Sequence, residues 1–71
     1  MPEMIEFKLD EEYIGLYILL KLTNVAESGG SAKHTISEGL VTVDGEVETR
    51  KACKIRKGQV IKVASETILV T

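Results

Sequence analysis

The segment Gly39–Gly45, which reads GLVTVDG, constrains the fold of this 71-residue chain more than any other stretch. Val41 and Val43 alternate with Leu40 and Thr42, as in a half-buried strand. The glycine before this strand favours the end of a helix, because glycine readily adopts the positive φ angle found there. The Asp-Gly pair after it favours a tight reversal for the same reason. The segment therefore predicts a helix, a strand and a turn in immediate succession.

Two helices are predicted upstream of this strand. The first, Tyr13–Leu22, is so rich in leucine and isoleucine that we expect it to be the central core helix, covered on most sides. The second, roughly Ser31–Glu38, follows the turn-rich sequence Ser28-Gly29-Gly30-Ser31. Its helical periodicity places Ala32 and Ile36 on the side that faces the core.

An acidic cluster, Asp10-Glu11-Glu12, immediately precedes the first predicted helix. Aspartate is a common N-cap residue, and carboxylates are stabilised near the positive end of a helix dipole. We therefore interpret the cluster as residues that cap and stabilise the start of the helix rather than as a metal site.

Tyr13 and Tyr17 follow the acidic cluster and are spaced one helical turn apart. They could stack on bases, but packing in the core or at the helix edge is the favoured interpretation.

Three further strands complete the predicted secondary structure. Met4–Leu9 alternates so that its three odd-numbered apolar residues point inward. Val60–Val63 and Thr67–Val70 form a predicted hairpin through Ala64-Ser65-Glu66, and Lys57-Gly58-Gln59 is a predicted turn. The sequence thus predicts an α+β fold, a small single domain over residues 1–71 in which two main helices pack on a short β-sheet.

The composition limits this domain to a modest core. It has no Trp, one Phe and two Tyr, so Ile, Leu and Val must supply most of the buried surface. A domain of this size buries only about 60% of the surface that its unfolded chain exposes, which leaves little room for a deep substrate cavity. The sequence holds no phosphate-binding Walker loop, dinucleotide fingerprint or unexplained carboxylate pair. We expect no enzyme activity, no catalytic residues and no cofactor.

Charge is distributed unevenly along the chain. The formal net charge is −2, but residues 1–20 hold five acidic side chains and one basic one, while residues 21–71 hold eight basic and six acidic ones. Basic residues begin at the end of a predicted exposed extension, Glu46–Lys51, and continue into a loop anchored by Ile55. They are Arg50, Lys51, Lys54, Arg56 and Lys57. Such a run can neutralise the phosphates of a nucleic acid, meet an acidic protein partner, or simply keep a loop solvated.

The remaining reactive side chains indicate no metal or redox site. Cys53 is the only cysteine, so no internal disulfide or cysteine-based zinc site can form, and a reducing compartment is expected. Its basic neighbours predict a lowered pKa, although no candidate base accompanies it as a nucleophile would require. His34 is expected on a helix surface.

The longest nearly apolar stretch, Ile14–Leu20, is too short to span a bilayer, and the first residues lack the features of a signal peptide. We therefore expect a soluble cytoplasmic protein.

The order helix, glycine, strand, turn and basic loop extends from about Tyr13 to Val63. Its marker positions are Ser28, Ala32, Gly39, Val41, Val43, Asp44, Gly45 and the pair Gly58-Gln59. This pattern resembles the small-subunit ribosomal protein four superfamily, whose shared element is the αL RNA-binding motif. Two segments, Ser28–Lys33 and Glu46–Lys51, look like the short stand-alone bacterial branch of YbcJ-like proteins. The Arg of the family's Ser-Arg pair is replaced by Gly29, and we hypothesise that Lys33 takes over its phosphate contact.

The resemblance implies non-catalytic binding of structured RNA, of the ribosomal or transfer class. The expected face combines the start of the second helix with the basic loop, and the two arginines of the loop suit bidentate phosphate contacts. The residues expected to contact RNA are Ser28, Gly29, Gly30, Lys33, His34, Arg50, Lys51, Lys54, Arg56 and Lys57. The alternative is a protein-interaction module that uses the same basic loop.

Overall fold

A computed structural model describes residues 3–64 and 66–71 of the chain. Within these residues there are two helices, α1 (Leu16–Leu22) and α2 (Gly29–Ser37). The strands are β1 (Glu3–Phe7), β2 (Ile14–Gly15), β3 (Val41–Val43), β4 (Glu46–Val47), β5 (Lys54–Ile55), β6 (Val60–Val63) and β7 (Glu66–Val70). Neither described helix is long and apolar enough to cross a membrane.

The strands form two sheets. The larger sheet has the order β1-β7-β6-β3-β4, in which β1 and β7 are parallel and the other neighbours are antiparallel. The smaller sheet is the antiparallel pair β2-β5. The two helices and this mixed sheet share one core, which confirms the predicted α+β class. The predicted hairpin between β6 and β7 includes Ser65, which lies outside the described residues, as do Met1 and Pro2.

The core consists of aliphatic side chains from both helices and the larger sheet. Leu16, Leu19 and Leu20 of α1 pack against Ala32 and Ile36 of α2, and all five are fully buried. The inward-facing residues Val41, Ile61 and Ile68 close the core from the sheet side. Burial of each large side chain contributes about 1.5–3 kcal/mol, so this aliphatic layer is the main source of stability.

The N-terminal strand is shorter than predicted but continues as a hydrogen-bonded segment. β1 ends at Phe7, yet the N–H of Leu9 donates to the carbonyl of Thr71 at 2.9 Å. Leu9 is buried, while Ile5 and Phe7 are half-buried against the core. The predicted inward face is therefore confirmed, with Leu9 as its most enclosed member.

The start of α1 differs from the prediction. Ile14 and Gly15 do not begin the helix but form β2, which pairs with Ile55 and Lys54. The helix therefore begins at Leu16 with Gly15 as its N-cap, and its first turn contains no acidic residue. Assigning Asp10-Glu11-Glu12 to the helix start was wrong, because a strand pairing between residues forty positions apart separates this cluster from the helix.

The predicted coverage of α1 on most sides is also wrong. Ile18 is 38% exposed and Leu22 is 57% exposed, so one face of the helix lies open to solvent. The opposite face carries the three buried leucines. The apolar composition of this segment reflects two different faces: one packed in the core and one exposed.

Helix α2 and the strand after it follow the prediction closely. The helix begins at Gly29 rather than Ser31, because the hydroxyl of Ser28 caps it by accepting the N–H of Ser31 at 3.1 Å. At its end, Gly39 has φ +77°, and its N–H donates to the carbonyl of Ile36. The N–H of Leu40 donates to the carbonyl of Thr35, which completes a Schellman motif.

The reversal after β3 is the predicted one, since Asp44 and Gly45 have φ angles of 53° and 89°. The carboxylate of Asp44 also accepts the N–H of Val60 at 3.0 Å and the side-chain amide of Gln59 at 3.2 Å. These two bonds, the backbone bond first, hold the pKa of Asp44 below its usual value. Asp44 thus joins the β3–β4 turn to the start of β6.

Candidate nucleic-acid interface

Tyr17 brings together the two predicted RNA-contacting segments. Its backbone N–H donates to the carbonyl of Lys51 at 3.1 Å, which attaches the basic loop to the first turn of α1. Its ring lies under the side chain of Lys33 from α2, with the Nζ atom 4.7 Å from the ring centroid. A Cβ atom placed on Gly29 would lie 3.9 Å from the same ring. The start of α2 and the basic loop therefore share one side chain as their common support.

The backbone of the basic loop is fixed by further bonds to the same part of the molecule. The N–H of Leu16 donates to the carbonyl of Cys53 at 2.9 Å, next to the β2-β5 pairing. Ile55 is fully buried, as predicted for an anchor. The backbone of the loop is thus hydrogen-bonded to β2 and the start of α1, while Lys54 beside Ile55 is exposed to solvent.

Tyr13 supports the second half of the loop. Its ring has Lys54 Nζ at 4.9 Å and the guanidinium carbon of Arg56 at 5.9 Å from the centroid. At 44% exposure, Tyr13 is a surface residue rather than a core residue. Exposed cation–π contacts of this kind contribute about 0.5–1 kcal/mol each. The i, i+4 spacing of the two tyrosines was visible in the sequence, but their lysine partners depend on tertiary structure.

The two arginines of the loop bind carboxylates within the chain. Arg50 donates from Nε and from a terminal nitrogen to the two carboxylate oxygens of Glu48, each at 3.0 Å. Arg56 lies 3.3 Å from a carboxylate oxygen of Glu12. Arg50 therefore presents one edge of its guanidinium to Glu48, so the predicted bidentate contact with a phosphate would use the other edge, formed by the two terminal nitrogens.

Glu48 is a structural residue of the loop that the sequence did not single out. Its carboxylate accepts the Arg50 side chain and also the Arg50 backbone N–H at 3.0 Å. These bonds, the side-chain bond first, lower the pKa of Glu48 to about 2. The only sequence signal was an acidic residue two positions before the first arginine of the run.

The pKa of the Cys53 thiol is raised rather than lowered as predicted. Burial raises the pKa of its thiol, and the nearby carboxylate of Glu48, 3.5 Å from Sγ, raises it further. The lowered pKa expected from basic neighbours was therefore wrong, because burial and Glu48 outweigh the effect of Arg50. Within residues 3–64 and 66–71, His, Cys, Asp and Glu side chains form no cluster suited to a metal ion.

Four lysines supply the unneutralised charge of the face. Lys33, Lys51, Lys54 and Lys57 are exposed, and none of them forms an ion pair with another described residue. His34 is on the surface of α2 as predicted, with Nε2 3.8 Å from a carboxylate oxygen of Glu38. We call the surface formed by Ser28–His34 and Arg50–Lys57 the basic face. It combines a capped helix start with four exposed lysines, two of which, Lys33 and Lys54, lie over tyrosine rings.

The family model for the S4 domain matches residues 7–71, and the chain belongs to this family. Among its relatives is YbcJ of Escherichia coli (strain K12), which is 50% identical over 58 residues that cover 82% of this chain and 83% of the relative. The probable ribosome maturation protein RlbA of Bacillus subtilis (strain 168) is 40% identical over 55 residues, 78% of each chain.

Two solved structures share the fold. The solution structure of YbcJ from E. coli superposes with a TM-score of 0.76 at 46% identity, covering 100% of this chain and 91% of that one. It is described as revealing an αL motif involved in RNA binding. The 30S ribosomal protein S4e from Thermoplasma acidophilum gives a TM-score of 0.61 at 22% identity, covering 82% of this chain and 31% of that one. The predicted fold class, with its αL motif, is thus confirmed.

Proposed function

We propose that this chain is a single non-catalytic domain that binds structured RNA through its basic face. The observation that carries this proposal is the set of four exposed lysines without ion pairs at the start of α2 and in the basic loop, two segments that both contact Tyr17, in a chain whose net charge is negative. The YbcJ structure, 46% identical, is described with an RNA-binding αL motif, and RlbA is named as a probable ribosome maturation protein. Ribosomal RNA, with transfer RNA as the related class, is therefore the target we favour, and a cytoplasmic location fits it.

The face suits A-form RNA because its cations lie on two neighbouring segments and two of them, Lys33 and Lys54, are positioned by tyrosine rings. The wide minor groove and the phosphates of such RNA are recognised by shape rather than by base sequence. We assign phosphate contacts to Lys33, Lys51, Lys54 and Lys57, with Ser28, Gly29, Gly30 and His34 lining the helix start. Lys33 occupies the role that the family's missing arginine would have at Gly29. Arg50 and Arg56 lie on the same face, where Arg50 also holds the loop through Glu48.

A binding comparison on defined nucleic acids tests this proposal. Fluorescently labelled transfer RNA, a ribosomal RNA stem-loop and a DNA duplex of equal length are each titrated with the purified chain. Binding to both RNAs about ten-fold tighter than to DNA is expected, because B-form DNA has a different groove shape and phosphate spacing. Equal affinity for the DNA duplex would leave only a general attraction to polyanions and would overturn the proposal.

The alternative is that the basic loop meets an acidic protein. It is distinguished by capture from a bacterial lysate on the immobilised chain, with and without ribonuclease. If the proposal is correct, ribosomal proteins and other captured partners are lost after ribonuclease treatment. Capture of the same partners without RNA would favour the protein-interaction module instead.

A further inference from the structure

An apolar groove lies beside the basic face, on the exposed side of α1. Its floor is formed by Phe7, Ile14, Ile18 and Leu22, and its volume is about 620 Å³. Ile18 and Leu22 are one helical turn apart and are 38% and 57% exposed. Large aliphatic side chains exposed next to each other in this way mark interaction sites more often than isolated ones do.

The rim of the groove is acidic. The loop that follows β1 contributes Asp10, Glu11 and Glu12, all exposed, against a single basic lining residue, Lys8. Glu12 is partly neutralised by Arg56, which marks the border with the basic face. An acidic rim repels RNA phosphates, so the groove is not an extension of the RNA-binding surface.

We infer that this groove is a docking site for a basic amphipathic segment of a partner protein. Apolar side chains spaced one helical turn apart in the partner would fill the space over Ile18 and Leu22. Lysines or arginines flanking them would meet the three carboxylates of the rim, and this charge complementarity selects a cationic partner over an acidic one. The acidic cluster at residues 10–12, which does not cap a helix, acquires a role in this arrangement.

The groove and the basic face adjoin at Tyr13. This residue lines the groove, and its ring contacts Lys54 of the basic face. The inference therefore places a basic protein segment and an RNA on different, adjoining surfaces of the domain. Such a domain would join an RNA to a cationic protein, which are the two components of any ribonucleoprotein. The docking inference does not require the RNA proposal, because it rests on different residues.

The test uses a fluorescent synthetic peptide with leucines on one helical face and lysines on the other. Its binding to the full chain is measured by anisotropy at about 150 mM salt, where weak surface attraction is screened. A counterpart peptide with glutamate in place of lysine should bind about ten-fold more weakly, because its charges face the acidic rim.

Two double variants locate the binding site, and a third serves as a control. Ile18→Ser with Leu22→Ser removes the apolar floor, while Asp10→Lys with Glu11→Lys reverses the rim and leaves Glu12 with Arg56. Each should weaken peptide binding about ten-fold. Leu40→Ser with Val47→Ser removes two equally exposed apolar side chains, 61% and 62%, that do not line the groove, and should change nothing.

Several outcomes would overturn the inference. They are absence of peptide binding, equal binding of the two peptides, or an equal loss of peptide affinity in the control variant.

Two further outcomes would assign the groove to another occupant. Self-association of the chain that disappears in the Ile18→Ser, Leu22→Ser variant would assign it to a second copy. Binding to neutral lipid vesicles that the same variant abolishes would assign it to a membrane surface. Circular dichroism and RNA affinity are measured on every variant, so that unfolding is not mistaken for loss of the site.

Discussion

At the scale of single residues, two tyrosines organise the cations of the basic face. Tyr17 lies under Lys33 and bonds to the backbone of Lys51, while Tyr13 lies under Lys54. An aromatic ring positions an ammonium group without neutralising it, unlike a carboxylate partner. Lys33 and Lys54 are therefore positioned by a neighbouring side chain while their positive charge stays unneutralised.

Replacing Tyr17 tests this role. Tyr17→Phe keeps the ring and should bind structured RNA like the wild type. Tyr17→Ala removes the ring under Lys33 and should weaken RNA binding several-fold, with a lower melting temperature because a half-buried side chain is lost. Titration of labelled transfer RNA and thermal unfolding are measured on both variants. Unchanged RNA affinity in folded Tyr17→Ala would show that the ring does not organise the face.

Glu48 predicts a specific pH dependence of stability. Its pKa is lowered from 4.5 to about 2, so its bonds to Arg50 stabilise the fold fully above pH 4.5. This stabilisation is lost as the pH falls from 4.5 towards 2. The variant Glu48→Gln should therefore melt about 2–5 °C below the wild type at pH 6, and at the same temperature near pH 2.

The check is thermal unfolding of both proteins across this pH range. Glu46→Gln is the matched control, because Glu46 is exposed and forms no ion pair with the described residues. A melting difference for Glu48→Gln that persisted unchanged down to pH 2 would show that its carboxylate charge does not stabilise the loop.

At the scale of elements, helix α2 depends on its two ends. The Ser28 hydroxyl caps its start, and Gly39 with φ +77° closes its end. Both helix ends could be predicted from the sequence, because each depends on residues within a few positions of each other. The strand β3 and the Asp44-Gly45 turn were predictable for the same reason.

The cap predicts a measurable loss of stability. Ser28→Ala should cost about 1 kcal/mol, because one N–H of the first turn loses its acceptor. For a domain of this size the melting temperature should fall by about 4–8 °C. Ser31→Ala is the control, since the Ser31 hydroxyl makes no hydrogen bond to the described residues. Equal melting temperatures for the two variants would contradict the capping role.

The start of α1 shows what local patterns cannot reveal. The segment from Tyr13 onward has helical composition, yet its first residues pair with β5, about forty positions away. The spacing of apolar residues within the segment gives no indication of this long-range pairing. This pairing separates the acidic cluster from the helix, which was not foreseen.

At the scale of the whole molecule, the fold separates opposite charges that the net value of −2 conceals. The acidic rim and the basic face lie on either side of Tyr13. Lys51, Lys54 and Lys57 were identified in the sequence from a simple charge run, and Lys33 from the family resemblance. The sequence could not predict which cations are already paired, because the partners Glu12 and Glu48 are identified only by the folded geometry.

The salt dependence of RNA binding follows from the unpaired charges. Four lysines that each neutralise about one phosphate predict a slope of about −3 to −4 for the logarithm of affinity against the logarithm of salt. Affinity for transfer RNA should then fall about a hundred-fold between about 50 and 200 mM salt. A flat salt dependence would exclude the phosphate contacts assigned to the basic face.

The decisive measurement compares two charge-matched variants in that titration. Lys51→Glu with Lys54→Glu reverses two lysines of the basic face and leaves the Arg50–Glu48 pair in place. Lys8→Glu with Lys62→Glu makes the same change in net charge at exposed positions outside it. If the basic face binds RNA, the first variant should lose at least about ten-fold in affinity and about two units of salt slope, while the second binds nearly like the wild type. Equal losses in the two variants, with both folded by circular dichroism, would show that overall charge rather than this face attracts the RNA.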